Sequence, residues 1–268
     1  MNDEMYAFEV SPPCFSVIGL GEVGCQAVSA LLARGLDEYK PTVDFGNVRL
    51  NFSVIVPPPI TGVEADLVIL IADPEDTAVA GLLQEEQPAT LLLVISPTQS
   101  MAELQAWLHG GDLPHWVDCA LAVGGTDTPV DETHERLVHL LAGMVGLLSQ
   151  NLIALDFADL RTVLTAGGAS MFGSAWASGP DRAVRAAETA LASRWPANGR
   201  IDQAGGVWVA IHAPESLAME EFYEVLDFFQ ARVAESTVVI VGAPERPDPD
   251  DGLRVTFMAI GIGNSQPT

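Results

Sequence analysis

The chain has 268 residues, 49% of them hydrophobic, and its 36 acidic against 12 basic side chains give a formal net charge of -24. That length accommodates one large domain or two smaller ones around a substantial core. The acidic excess argues against binding a nucleic-acid backbone or an anionic membrane surface, since both require clustered Lys and Arg.

The start, MNDEMYAFEV, is acidic and has neither the basic flank nor the apolar run of a signal peptide, so a cytoplasmic protein is expected. Residues 1–12 read as an extension. The first element is FSVIGLG, an apolar strand that runs through Gly19, Gly21 and Gly24 into the helical pattern EVGCQAVSALLARG. The G-x-G-x-x-G spacing suits a dinucleotide, with Asp44 near the place of a ribose-binding carboxylate about 20 residues further on. Any phosphate-binding strand-turn-helix shares that spacing, so the glycines alone leave the ligand open. The strand VRLNFSVIV follows and is stopped by Pro57-Pro58-Pro59. Then come the strand ADLVILIA, a helix after Asp73-Pro74, the strand ATLLLVIS, a helix near Met101 to His109, and the strand VDCALAVGG. Compact apolar strands alternating with helices predict a doubly wound α/β sheet, buried on both faces.

The apolar run Leu137 to Leu155 has the length of a membrane span but contains His139, Ser149, Gln150 and Asn151, which favours a buried helix. Beyond it a second alternating set begins: helix DFADLRTVL, strand GGASMFGSAWA, helix DRAVRAAETALASR, strand GGVWVAIHA, helix LAMEEFYEVLDFFQARV, and strands STVVIVGA and LRVTFMAIGIG. The acidic PERPDPDDG between the last two strands reads as a solvated hairpin loop. Cys14, Cys25 and Cys119 are too few and too far apart for a disulfide framework or a metal knuckle, and read as buried thiols of a reducing compartment. The five histidines show no metal-ligand spacing, no metal is expected, and His139 reads as a core or boundary residue.

The stretch NLIALDFADLRTVLTAGGASMFGSAWASGPDRAVRAAETAL resembles the middle of bacterial FtsZ proteins of the tubulin superfamily, where the pattern runs NLDFADVKTVM, a strand, then SGEDRA. The likeness continues through RIDQAGGVWVAIHAPESLAMEEFYEV and LRVTFMAIGIG. Read backwards, VIGLGEVGCQAV is similar to the first phosphate loop of that family, VIGVGGGGCNAV, in which Gly19, Gly21, Gly24 and Cys25 would line the nucleotide. The resemblance implies a tubulin/FtsZ-like α/β fold. A Rossmann-like GTP-binding-like domain would span residues 13–130, a long central helix 131–150, a smaller activation subdomain 151–262 and a short tail 263–268. NAD binding becomes a remote alternative.

The resemblance also implies a site shared between subunits, with GTP and Mg²⁺ held by one and a water-positioning loop of pattern NxDxxD supplied by the next. Here that pattern reads Ala154, Asp156, Asp159: the carboxylates remain, and the amide is lost. Asp156 also reads as an N-cap of the following helix, with Asp159 in its first turn. After ADLVILIA the family has GGGTGTG, where this chain has Asp73-Pro74-Glu75-Asp76-Thr77-Ala78-Val79. Proline removes an N–H donor and three carboxylates oppose a triphosphate, although the same residues also suit an ordinary helix start. Glu22 adds a negative charge within the first loop, tolerable if it faces solvent. Glu135 falls near the family's guanine-recognising acid, but DETHERL reads equally as an exposed helix start. The stretch 35–65 is short for the family, and no long terminal linker follows GNSQPT.

These features favour a pseudo-GTPase without a cofactor. It would assemble with itself or with another FtsZ/tubulin-like protein, capping, pairing with or modulating a filament, and would contact neither nucleic acid nor the bilayer interior. The alternative is an active, polymerising GTPase using Gly19, Gly21 and Gly24, with a metal taming Asp73 or Asp76.

Overall fold

A computed structural model of the chain describes residues 13–34, 49–55, 65–72, 91–96, 118–124, 128–148, 152–153, 155–194, 200–246 and 250–262. Asp44, Asp73 to Val79, Ala154 and the helices expected after Pro74 and near Met101 to His109 lie outside the described residues.

The described strands are β1 (Cys14–Leu20), β2 (Arg49–Ile55), β3 (Leu67–Ile71), β4 (Leu91–Ser96), β5 (Cys119–Ala122), β6 (Gly168–Ala177), β7 (Gly206–His212), β8 (Val238–Gly242) and β9 (Leu253–Ile262). The helices are α1 (Gly21–Arg34), α2 (Val130–Leu148), α3 (Phe157–Leu164), α4 (Arg182–Ala192) and α5 (Met219–Gln230). All nine strands join one sheet in the order β2-β1-β3-β4-β5-β6-β9-β7-β8. The first six strands pair in parallel, in keeping with their apolar runs, and β3, β5 and all of β1 beyond Cys14 are buried. β9 is antiparallel to both β6 and β7, whereas β8 is parallel to β7.

One expectation needs correction. PERPDPDDG does not close a hairpin, because β9 inserts between β6 and β7 and never pairs with β8. The described central helix runs from Val130 to Leu148, in line with the long helix expected at 131–150.

Strand alternation sends side chains to two cores. On one face Ala183, Ala186, Ala187 and Ala190 of α4 and Phe222, Val225 and Phe229 of α5 pack against Val209, Val255 and Phe257. On the other, Leu137, Leu141, Met144 and Val145 of α2 meet Phe172, Trp208, Met258 and Ile260, joined by Val28 of α1 and Leu160 of α3. The helix–sheet spacing under α2 is set by Gly143 and Gly146: a Cβ on Gly143 would lie 3.1 Å from the Trp208 ring, and one on Gly146 2.8 Å from His212 Nε2. Among the described residues no helix is long and apolar enough to cross a membrane.

Candidate functional site

β1 passes directly into α1 at Gly21, whose φ of 63° is strained for any L side chain. The flanking glycines answer to packing instead. A Cβ on Gly19 would stand 2.3 Å from the Gly24 carbonyl oxygen, and one on Gly24 2.1 Å from the Ile71 carbonyl oxygen. Together they let α1 lie against β1 and the end of β3. The Cys25 thiol donates to the Gly19 carbonyl at 3.6 Å and fixes the turn from the helix side. Glu22 is exposed, and its carboxylate accepts from Gln26 Nε2 at 3.2 Å, one turn further along α1. Glu22 lies in the first turn of α1, where unpaired N–H groups favour an anion.

The second expected half-site sits between α2 and α3. Leu155 N donates to the Leu147 carbonyl at 3.0 Å, and Ala243 N to the Ile153 carbonyl at 2.9 Å, which ties the loop to α2 and to the end of β8. Asp156 caps α3, accepting from Asp159 N at 2.9 Å, while Asp159 accepts from Asp156 N at 3.2 Å. This reciprocal capping box is the structural role foreseen for the pair. Both carboxylates are exposed, and each retains a second oxygen beyond its capping bond.

The two half-sites occupy opposite ends of the sheet. Phe157, adjoining Asp156, rests its ring 5.7 Å from that of Phe15 at the start of β1, whereas the glycine turn follows Leu20 at its end. Five strand residues separate them, roughly 16 Å. One chain therefore cannot bring Asp156 and Asp159 to its own glycine turn.

Two further polar groups were not singled out for function in the sequence. Buried Arg182, from SGPDRA, makes a bidentate pair with Glu221 at 2.7 and 2.9 Å, meets the Asp251 carboxylate at 3.0 Å and donates to the Asp251 carbonyl. Ser216 Oγ completes the set, 2.5 Å from Asp251 Oδ1. The pairing with Arg182 holds Glu221 below the usual carboxylate range, while the hydrogen bonds from Ser216 and then Arg182 lower Asp251. Asp181 and Asp251 both take left-handed backbone conformations beside this arginine. The other group lies under α2, where His139 and His212 are buried and held neutral, each lowered to about 3 by desolvation and then by the nearby guanidiniums. Burial confirms the core placement expected for His139.

Glu135 is exposed on α2. Of the three thiols only Cys119 is fully buried, and burial pushes its pKa up. Among the described residues no cluster of His, Cys, Asp and Glu could hold a metal.

Residues 168–263 match the model of the FtsZ family, C-terminal domain. Among curated proteins, cell division protein FtsZ of Coxiella burnetii is 37% identical over 129 residues, covering 48% of this chain and 33% of the relative. That of Pseudomonas putida is 33% identical over 148 residues, 53% of this chain and 37% of the relative. The aligned segment thus spans only about a third of these relatives' length. Among solved structures, the empty FtsZ dimer of M. jannaschii aligns over 94% of this chain and 89% of its own, with a TM-score of 0.71 at 19% identity. CetZ1 from Haloferax volcanii, a GDP-bound monomer, aligns over 94% and 95% with a TM-score of 0.65 at 13% identity.

The mixed sheet crossed by α2 defines the class: a tubulin/FtsZ-like α/β fold. Within that class residues 168–263 are similar to the C-terminal domain of the FtsZ family, and the curated relatives that match are cell division FtsZ proteins.

Proposed function

We propose that this chain is a nucleotide-independent member of its superfamily that works through protein contacts, presenting the face around Asp156 and Asp159 to a second copy or to another FtsZ/tubulin-like subunit. The observation that carries this reading is the sequence leaving β3. The Ile71 carbonyl abuts Gly24, and four residues that bear on a phosphate site follow Ala72 in the sequence. Those residues are Asp73-Pro74-Glu75-Asp76, three carboxylates and a missing N–H donor in place of a glycine-rich phosphate nest. One such carboxylate about 5 Å from a phosphate charge costs roughly 3 kcal/mol at an effective dielectric near 20, about two decades of affinity. The division into a nucleotide-binding-like part, central helix and activation subdomain belongs to the same proposal.

The assembly half rests on the separation of the half-sites, because the capping carboxylates can reach a glycine turn only on a different subunit. A second reading, an active GTP-dependent polymer, is supported by the glycine turn itself, where β1 passes into α1 at Gly21 with Gly19 and Gly24 closely packed beside it. Isothermal titration of nucleotide-stripped protein with GTP and Mg²⁺, with light scattering on the same sample, separates the two. No heat at tens of micromolar protein supports the first. Heat with scattering and phosphate release overturns it and establishes the second.

A further inference from the structure

Register places polar residues of three strands in adjacent rows beneath α2. β6 and β9 pair Trp176 with Arg254, and β9 and β7 pair Arg254 with His212, giving one continuous row Trp176–Arg254–His212. In the neighbouring row Ser174 Oγ lies 2.9 Å from Thr256 Oγ1. These rows share the face on which Phe172, Trp208 and Met258 meet α2, a helix whose His139 is buried. Gly146 leaves room for the His212 ring, with Nε2 2.8 Å from where its Cβ would be. Arg246, whose N–H donates to the Ala213 carbonyl at 2.7 Å, adds a second guanidinium charge felt by both imidazoles.

Arg254 is strongly under-used in this setting. Its side-chain hydrogen bond among the described residues is a long one, Nη1 to Ser174 Oγ at 3.4 Å, and its buried Nε has no partner there. A buried donor of this kind is costly unless something accepts from it. The guanidinium charges of Arg254 and Arg246 bear on both imidazoles and lower them. A cationic cluster in a chain of net charge -24 runs against the overall composition.

We propose that Arg254, with His139, His212 and Arg246 around it and Ser174 beside it, forms a site for a small oxyanion bearing a phosphate or carboxylate group. The Nε–Nη fork of Arg254 suits two oxygens of such a group. Each imidazole becomes a double donor on taking up a proton, and an anion supplies the charge that makes uptake favourable. The site is separate from both the glycine turn and the Asp156 loop, so it stands whether or not the chain binds GTP. The facing charged and titratable groups are His139 from α2, His212 from β7, Arg254 from β9 and Arg246 after β8; β6 contributes Ser174 and Trp176.

The test is a titration of the full chain with inorganic phosphate at pH 6.5, ionic strength held constant with NaCl, following the ¹⁵N signals of the His139 and His212 imidazoles. Malonate in a parallel series tells a carboxylate site from a phosphate site. Saturable change at both rings with either probe is expected, with affinity rising up to about tenfold per pH unit lowered if one proton is taken up. Arg254→Gln should weaken binding at least about tenfold, the loss of a charge-assisted hydrogen bond. Arg200→Gln, at an exposed arginine paired with Asp202, should bind as the parent does. Absence of saturation with both probes overturns the site in the unaltered protein alone, without recourse to a variant. Equal weakening in the Arg200 variant, or none in a folded Arg254 variant, also overturns it.

Discussion

Acidification offers a quantitative trial of the packing beneath α2. His139 and His212 are held at about 3 in the folded chain, against about 6.5 when unfolded. Below pH 6.5 the unfolded chain therefore binds protons that the folded one refuses, so stability is lost as pH falls from about 6.5 towards 3. At pH 5 each imidazole favours the unfolded state by about 2 kcal/mol, and at pH 7 by only about 0.2 kcal/mol. The pair thus removes close to 4 kcal/mol between those two pH values, a large share of a typical domain stability of about 5–15 kcal/mol. The figure barely changes if the folded values are nearer 4, because at pH 5 the folded histidines stay neutral either way. The carboxylates whose ionisation is favoured by folding, Asp202, Glu221 and Asp251, lose their contribution at lower pH, which leaves this window to the histidines. Urea unfolding followed by tryptophan fluorescence at pH 7, 6 and 5, in phosphate-free buffer, measures the loss. Comparison with His139→Gln and His212→Gln removes the background from the rest of the chain. A difference between parent and double variant below about 1 kcal/mol across the window would refute the account.

Replacing Gly24 by Ala should separate α1 from β3, since the new Cβ would stand 2.1 Å from the Ile71 carbonyl oxygen; a loss of at least about 3 kcal/mol, or failure to fold, is expected in urea unfolding. Arg182→Ala strands the part-buried Glu221 and the Asp251 carbonyl and should cost about 3 kcal/mol, whereas Arg182→Lys keeps the charge but not the bidentate geometry and should fall between, as ranked by thermal melts. Asp156→Ala should cost about 1 kcal/mol through the lost cap, while Asp156→Asn, a good capping residue, should leave the melting point nearly unchanged. If the face around Asp156 makes the proposed subunit contact, the Asn variant nonetheless weakens self-association in sedimentation velocity, and unaltered sedimentation of both variants would remove that role.

Much of the fold could be read from hydrophobic period, because the strands from β1 to β9 are apolar runs and five of the eight neighbouring pairs join strands consecutive in sequence. β9 escaped that logic. LRVTFMAIGIG and STVVIVGA follow one another in sequence and look like hairpin arms, yet their order in the sheet depends on which slot β7 leaves open, a property of the assembled layer. The glycine turn was legible as a motif but not in its division of labour: Gly19 and Gly24 serve packing against backbone carbonyls 2.3 and 2.1 Å from their absent Cβ atoms, and Gly21 alone carries the positive φ. Asp156 was legible as a cap because an acid at that place has few other local uses. The group around Arg254 was not, since His139, Ser174, His212 and Arg254 lie far apart in sequence and meet only through the register of three strands and the approach of a helix. A signal did exist, in the polar residues at alternating positions of otherwise apolar strands.

The placement of β9 also bears on how the polypeptide emerges during synthesis. β6 has only a three-residue pairing with β5, Cys119 to Leu121 against Gly168 to Ser170, and β7 lacks a neighbour on one side until β9 arrives. The ribosome must therefore deliver residues 253–262 before that half of the sheet can close, leaving β6 and the β7–β8 pair as open edges through the preceding interval. A pause or nick before Leu253 would expose two apolar edges at once, and so the final strand acts as a checkpoint on whether a nascent chain matures or is passed to chaperones.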